Sequence, residues 1–142
     1  MANYESFSRS NYFRVTDKDS FRAWAEKHDL DVREKPGVEV VCGDRSSDTY
    51  FALFGIDGGW PCYYYDDLMD VDHDFDIYQE ITRFLHPDDV AVFMEIGWEK
   101  LRYLVGVAVA VNAKGDIRKI SLNDIYEVAS AELGANPTPA NH

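Results

Sequence analysis

Six carboxylates stand within eleven residues of this chain: Asp66, Asp67, Asp70, Asp72, Asp74 and Asp76. Carboxylates at that density can hold a divalent cation, present an anionic surface to a basic partner, or keep a loop solvated. The cation reading can be tested against the spacing of a calcium loop. Asp70-x-Asp72-x-Asp74 fills the first three ligand positions. The sixth position, where glycine makes the sharp turn, is Phe75, and the twelfth, normally a bidentate glutamate, is Ile81. An EF-hand is therefore not expected, and Asp70, Asp72 and Asp74 remain only as candidates for a looser divalent site, with His73 between them.

The segment around these residues is unusual in two ways. Residues 46–82 contain nine acidic side chains and no Lys or Arg, which is nine of the chain's twelve net negative charges. They also hold Tyr50, Phe51, Phe54, Trp60, Tyr63, Tyr64, Tyr65, Phe75 and Tyr78. In an extended run Trp60-Pro-Cys-Tyr-Tyr-Tyr-Asp-Asp67, Tyr63 and Tyr65 would face one way and Tyr64 the other. Tyrosine and tryptophan beside carboxylates make contact surfaces that tolerate polar partners. The expected partner-binding set is Trp60, Tyr63, Tyr64, Tyr65, Asp66, Asp67, Asp70, Asp72, Asp74 and Asp76, facing a basic protein. Two other readings stand beside it. In one the rings are core and the aspartates only solubilise; in the other the 55–59 glycine loop and the same aspartates bind a small ligand or metal.

Net charge of -12 argues against direct binding to nucleic acid or an anionic membrane, because phosphates would be repelled. No apolar run approaches the length of a membrane-spanning helix, and the first ten residues are too polar for a secretory signal, so a cytoplasmic location is expected. Cys42 and Cys62 are expected as free, buried thiols. No phosphate loop, dinucleotide fingerprint, zinc-binding or nucleophile motif occurs, so neither cofactor nor catalytic residue is assigned. Glu95 and Glu99 beside Trp98 form the one imaginable carboxylate pair. Oligomeric state is left open.

The elements that must position this segment read as one α+β domain over 1–133, with a flexible tail over 134–142. Its apolar fraction of 46% suffices for a core. The pattern predicts a mainly antiparallel sheet of about six to eight strands with three helices packed on it. Strands are expected at 11–15, 32–35, 38–42, 49–54, 60–65, 90–96, 101–112 and 117–120. Residues 66–74 read as an acidic loop. Helices are expected at 17–28, with Phe21, Trp24, Ala25 and His28 on one face, and at 74–85, with Ile77, Tyr78, Ile81, Phe84 and Leu85 as its stripe. A third follows Ser121, with Asp124 in a capping-box position and Leu122, Ile125, Val128, Ala129 and Leu133 buried. The strand at 101–112 is expected to be central and covered on both faces. A hairpin at 97–100 would set Glu95 opposite Arg102 and Val92 opposite Val105.

Several strings carry a resemblance when taken together: Asn11-Tyr-Phe-Arg-Val15, Phe21-Arg-Ala-Trp24, Gly58-Gly-Trp-Pro61, Glu99-Lys-Leu-Arg-Tyr-Leu-Val-Gly106, Val111-Asn-Ala-Lys-Gly115 and Ser121-Leu-Asn-Asp-Ile-Tyr126. Over residues 11–131 the chain resembles a group of small acidic proteins carried by phages, plasmids and integrated elements of bacteria. The resemblance implies no catalytic residues. It implies a setting in which small acidic proteins inhibit host defence, as antirestriction and anti-CRISPR proteins do, some by presenting carboxylates where DNA presents phosphates.

Overall fold

A computed structural model of the chain describes residues 4–43, 48–56, 59–61, 63–66, 71–99, 102–134 and 136–140. Its centre is one six-stranded antiparallel sheet. In chain order the strands are β1 (Tyr4–Ser10), β2 (Leu30–Pro36), β3 (Thr49–Gly55), β6 (Val90–Glu99), β7 (Tyr103–Asn112) and β8 (Ile117–Ser121). Across the sheet they run β2-β3-β1-β6-β7-β8. Two further strands, β4 (Tyr63–Asp66) and β5 (Val71–Asp74), form a separate antiparallel ribbon. The helices are α1 (Lys18–Lys27), α2 (Gly37–Val40), α3 (Ile77–Glu80), continued by a 3-10 turn over Ile81–Arg83, and α4 (Asp124–Leu133). This is the α+β, mainly antiparallel architecture expected, with four helices in place of three.

Helix α1 starts where Asp17 accepts from the Ser20 N–H (3.2 Å) and the Ser20 hydroxyl (2.9 Å). Phe21, Trp24 and Ala25 are buried on one stripe of it. Phe21 meets Phe13, Phe51 and Phe84 edge-on with ring centroids 5.3–6.0 Å apart, an arrangement that adds to area burial. Ile77, Ile81, Phe84 and Leu85 complete the layer over the same sheet face. The main core cluster thus lies on one side of the sheet, called here the inner face, while Tyr50 and Ala52 are buried on the other side of β3.

Several local expectations give way to neighbours. Residues 11–15 are not a strand. Strand β1 ends at Ser10, and Asn11 then imitates a peptide unit: its side-chain amide donates to the Val90 carbonyl (3.0 Å) and accepts from the Val92 N–H (2.8 Å). The chain crosses over to bridge Phe13 with Phe51 and Val15 with Leu85. Residues 38–42 contain the single turn α2 instead of a strand, closed by the Val41 N–H on the Gly37 carbonyl (2.9 Å). The expected helix over 74–85 is shortened to α3 and its 3-10 continuation, because Asp76 caps it by accepting from the Tyr78 N–H (3.0 Å).

The β6–β7 register also differs from expectation. Glu95 lies opposite Val107 and Val92 opposite Ala110, because the strands continue through Glu99 and Tyr103 before turning. Arg102 lies in the turn and reaches Glu99 (3.5 Å) instead of Glu95. Strand β7 is one place from the sheet edge and is not covered on both faces. The turn after it is locally built: Asn112 accepts from the Lys114 and Asp116 N–H groups (3.0 and 2.9 Å), and Gly115 takes the left-handed backbone, φ 91°.

Helix α4 begins three residues after Ser121. The Ser121 N–H donates to Asp124 (2.7 Å), so one half of the capping box forms while Asn123 occupies the cap. Its apolar stripe is not buried, and no residue of α4 is. Residues of the expected tail lie along it, with the Ala140 N–H donating to the Tyr126 hydroxyl (2.7 Å). The opposite, outer face of the sheet is likewise open. Phe7 (49% exposed), Met94 (53%), Ile96 (54%), Leu104 (70%) and Ile120 (67%) all point to it. At the β2–β3 end, Arg9 and Arg33 cover Phe54 by stacking 4.7 and 5.5 Å from its ring centre. Nothing comparable covers the β6–β8 end among the described residues.

Candidate partner-binding site

The acidic segment is more ordered in its backbone than a loop. Tyr63 pairs with Asp74, Tyr64 with His73, Tyr65 with Asp72 and Asp66 with Val71. Tyr63, Tyr65, Asp72 and Asp74 thus share one parity of the ribbon register, and Tyr64, Asp66, Val71 and His73 the other. Asp67 and Asp70 lie outside the described residues. Trp60 is not in a strand but precedes the ribbon. Asp76 follows it and spends its carboxylate on the α3 cap, with Asp76 itself still exposed to solvent.

The ribbon leaves the body and returns to it at a single depression of about 410 Å³. Trp60 and Pro61 form the entering side, Phe75 and Asp76 the returning side, with Ile77, Tyr78 and Glu95 completing the wall. Each wall residue has a local reason to be there. Phe93, buried on the inner face of β6, supports both rings: Trp60 and Tyr78 stand edge-on to it at 5.2 and 5.6 Å. Glu95 is two residues further along the same strand, so it projects from the same face. Its carboxylate accepts from the Trp60 backbone N–H (3.0 Å). A Cβ at Gly59 would stand 2.7 Å from that carboxylate oxygen, so a larger residue there would displace the Glu95 side chain. On the other side of Phe75, its ring stacks on His28 at 4.0 Å.

The electrostatics follow from this packing. Burial holds the Tyr78 phenol above its ordinary pKa, with the Glu95 and Asp76 charges adding in the same direction. Trp60 presents a buried indole N–H that has no hydrogen-bond partner among the described residues. Three aromatic rings and two carboxylates around an open depression form the surroundings in which a Lys or Arg head group gains both charge pairing and cation–π attraction. The contact of a cation with a ring is worth ~0.5–2 kcal/mol, depending on how far it is desolvated.

Sequence reasoning singled out Trp60, the ribbon residues and Asp76; of these Trp60 and Asp76 line the depression, together with Phe75, Tyr78 and Glu95, which it did not group with them. The Gly58-Gly59-Trp60-Pro61 run was the available signal, since paired glycines before a large ring mark a close backbone approach. The carboxylate pair Glu95 and Glu99 does not share a partner: Glu95 serves Trp60, whereas Glu99 faces Arg102. Among the described residues no group of three or more His, Cys, Asp or Glu side chains is arranged to hold a metal ion. Cys42 is free and exposed, contrary to the buried thiol expected, and Cys62 lies outside the described residues. Another depression, of about 440 Å³, lies beside Arg22, Glu26 and Glu34, where Arg22 and Glu34 already pair at 2.6 Å. No helix among the described residues is long and apolar enough to cross a membrane. No family model, curated protein or solved structure matches the chain.

Proposed function

We propose that the chain is a non-enzymatic binding protein whose acidic, aromatic segment engages a basic protein. The single observation that carries this reading is the depression of Trp60, Phe75, Tyr78, Glu95 and Asp76 at the root of the β4–β5 ribbon. A Lys or Arg side chain of the partner enters that depression. Asp74, exposed at the end of the ribbon, extends the anionic surface beyond it, and the segment's net negative charge steers the encounter through long-range attraction. A basic groove built for spaced phosphates is the kind of surface such an array suits. The partner is therefore a nucleic-acid-handling enzyme, and the role is inhibition of a host defence nuclease of the restriction or CRISPR kind, in a mobile-element setting.

The test is direct binding to a purified basic defence nuclease by calorimetry at low and high salt. The expected result is an affinity that falls steeply as salt rises and that is lost when Asp72, Asp74 and Asp76 are changed together to Asn. Asparagine keeps the α3 cap, so the triple variant separates charge from folding. An association unaffected by both salt and the triple variant would sink the reading.

A further inference from the structure

We infer that the outer face of the sheet is the interface of a homodimer. The register makes its apolar side chains one patch: Phe7 lies opposite Ile96, and Met94 lies opposite Ala108, which lies opposite Ile120. Leu104 stands in the neighbouring row, opposite Trp98. The five side chains are 49–70% exposed, and contiguous apolar patches beyond ~300–600 Å² mark interaction surfaces.

Two observations commit this face to a second copy of the chain. The first is area together with self-complementarity. Leu122 lies against Gly106 on the outer face, where a Cβ would meet it at 2.7 Å, so α4 starts from that face. The helix then carries Ile125, Val128 and Leu133 exposed. The chain thus leaves uncovered both the sheet face and the amphipathic helix that starts from it. With Leu122, helix and sheet leave nine large apolar side chains 45–81% exposed in each copy, the material an interface of about 800 Å² per partner draws on. A two-fold axis lets each copy supply both elements to the other.

The second observation is charge. Strands β1, β6, β7 and β8 place only Glu5, Arg9 and Arg118 as charged residues on this face, in a chain whose net charge is -12. It is the surface on which two such acidic chains can meet without opposing carboxylates. A basic partner finds no counter-charge there.

Sedimentation equilibrium of the full chain, from micromolar to submillimolar concentration in high salt, tests this. The expected mass is twice the 16.3 kDa chain mass, with association persisting as salt rises. Leu104→Glu and, on a different strand, Ile120→Lys each insert two charges across the two-fold. Each is expected to raise the dissociation constant by at least about 100-fold. Far-UV circular dichroism of the dilute variants is expected to be unchanged, because both positions are exposed in a single copy. A wild-type chain that stays monomeric throughout, or that is monomeric and binds neutral lipid vesicles, overturns the inference. A dimer unmoved by both variants overturns it equally.

Discussion

The two faces of the central sheet are built from the same strands and behave as opposite materials. On β6, Ala91 and Phe93 are buried on the inner side, whereas Met94 and Ile96 stand half exposed on the outer side. The inner face spends aromatic rings on a packed core and ends in an anionic depression. The outer face spends aliphatic side chains on a surface that one copy of the chain leaves uncovered. Hydrophobicity alone therefore does not identify the core here. Which side the helices cover decides it.

The contrast can be broken most forcefully by adjacent truncations. Phe93→Ala removes the ring that supports Trp60 and Tyr78, and its expected cost is ~3–5 kcal/mol. Met94→Ala, one residue on but facing outward, is expected to cost under about 1 kcal/mol. Denaturant unfolding at concentrations too low for self-association measures both. Similar losses would erase the distinction between the faces.

Next in size is the ion pair that ties the crossing segment to the sheet. Arg14 grips Asp89 bidentately through the Nε–Nη2 edge of its guanidinium (3.0 and 2.6 Å), and its backbone N–H donates to the same carboxylate (2.7 Å). Burial would raise the Asp89 pKa, but the Arg14 hydrogen bonds outweigh it and hold the carboxyl below its ordinary value. Stability from this pair is present above the ordinary aspartate pKa, about 3.9, and is lost as pH falls through the lower folded value. Asp89→Asn is expected to cost ~1.5–3 kcal/mol at neutral pH, read from the same unfolding curves.

A smaller effect comes from His28, buried against Phe75 and Trp24. Burial lowers its pKa from an ordinary value of 6.5, opposed by the Glu80 charge. The unfolded chain therefore takes up the proton first, and stability declines as pH drops below 6.5. His28→Gln is expected to flatten that part of the Tm–pH curve without changing its more acid limb, which belongs to Asp89.

The smallest and most discriminating changes are at two glycines. A Cβ at Gly59 meets the Glu95 carboxylate at 2.7 Å, and one at Gly106 meets Leu122 at 2.7 Å. Both obstructing groups are side chains that can move, so each Gly→Ala is expected to shift stability by less than about 1 kcal/mol. Gly59→Ala is expected to weaken binding of basic peptides, and Gly106→Ala to weaken self-association.

Much of this was legible in the sequence where local chemistry decides structure. The start of the helix at 17, its Phe21–Trp24–Ala25 stripe and the break between the strands at 101–112 and 117–120 need only neighbouring residues. What was not legible depends on partners far along the chain. Strand β1 turns Ser8 and Ser10 toward the core and Phe7 away from it, inverting the usual period-two signal. Gly97 reads as a turn residue but is buried within β6, which displaced the expected register. The stripe of α4 is periodic as expected, but periodicity does not say whether the cover comes from the same molecule. For the site, Trp60 and the ribbon stood out by composition. Glu95 and Tyr78 join them only because Phe93 gathers both sides.

The central claim is that the depression beside Glu95 receives a basic side chain. Titration with an arginine-rich peptide, followed by tryptophan fluorescence, tests it most directly when wild type, Glu95→Gln and Leu104→Glu are compared at low salt. Glutamine retains an oxygen for the Trp60 N–H and removes only the charge. The account predicts that Glu95→Gln weakens binding by roughly tenfold, the ~1.4 kcal/mol expected of a charge-assisted contact, while Leu104→Glu binds as wild type does. Equal affinity for wild type and Glu95→Gln, or an equal loss in both variants, would contradict it.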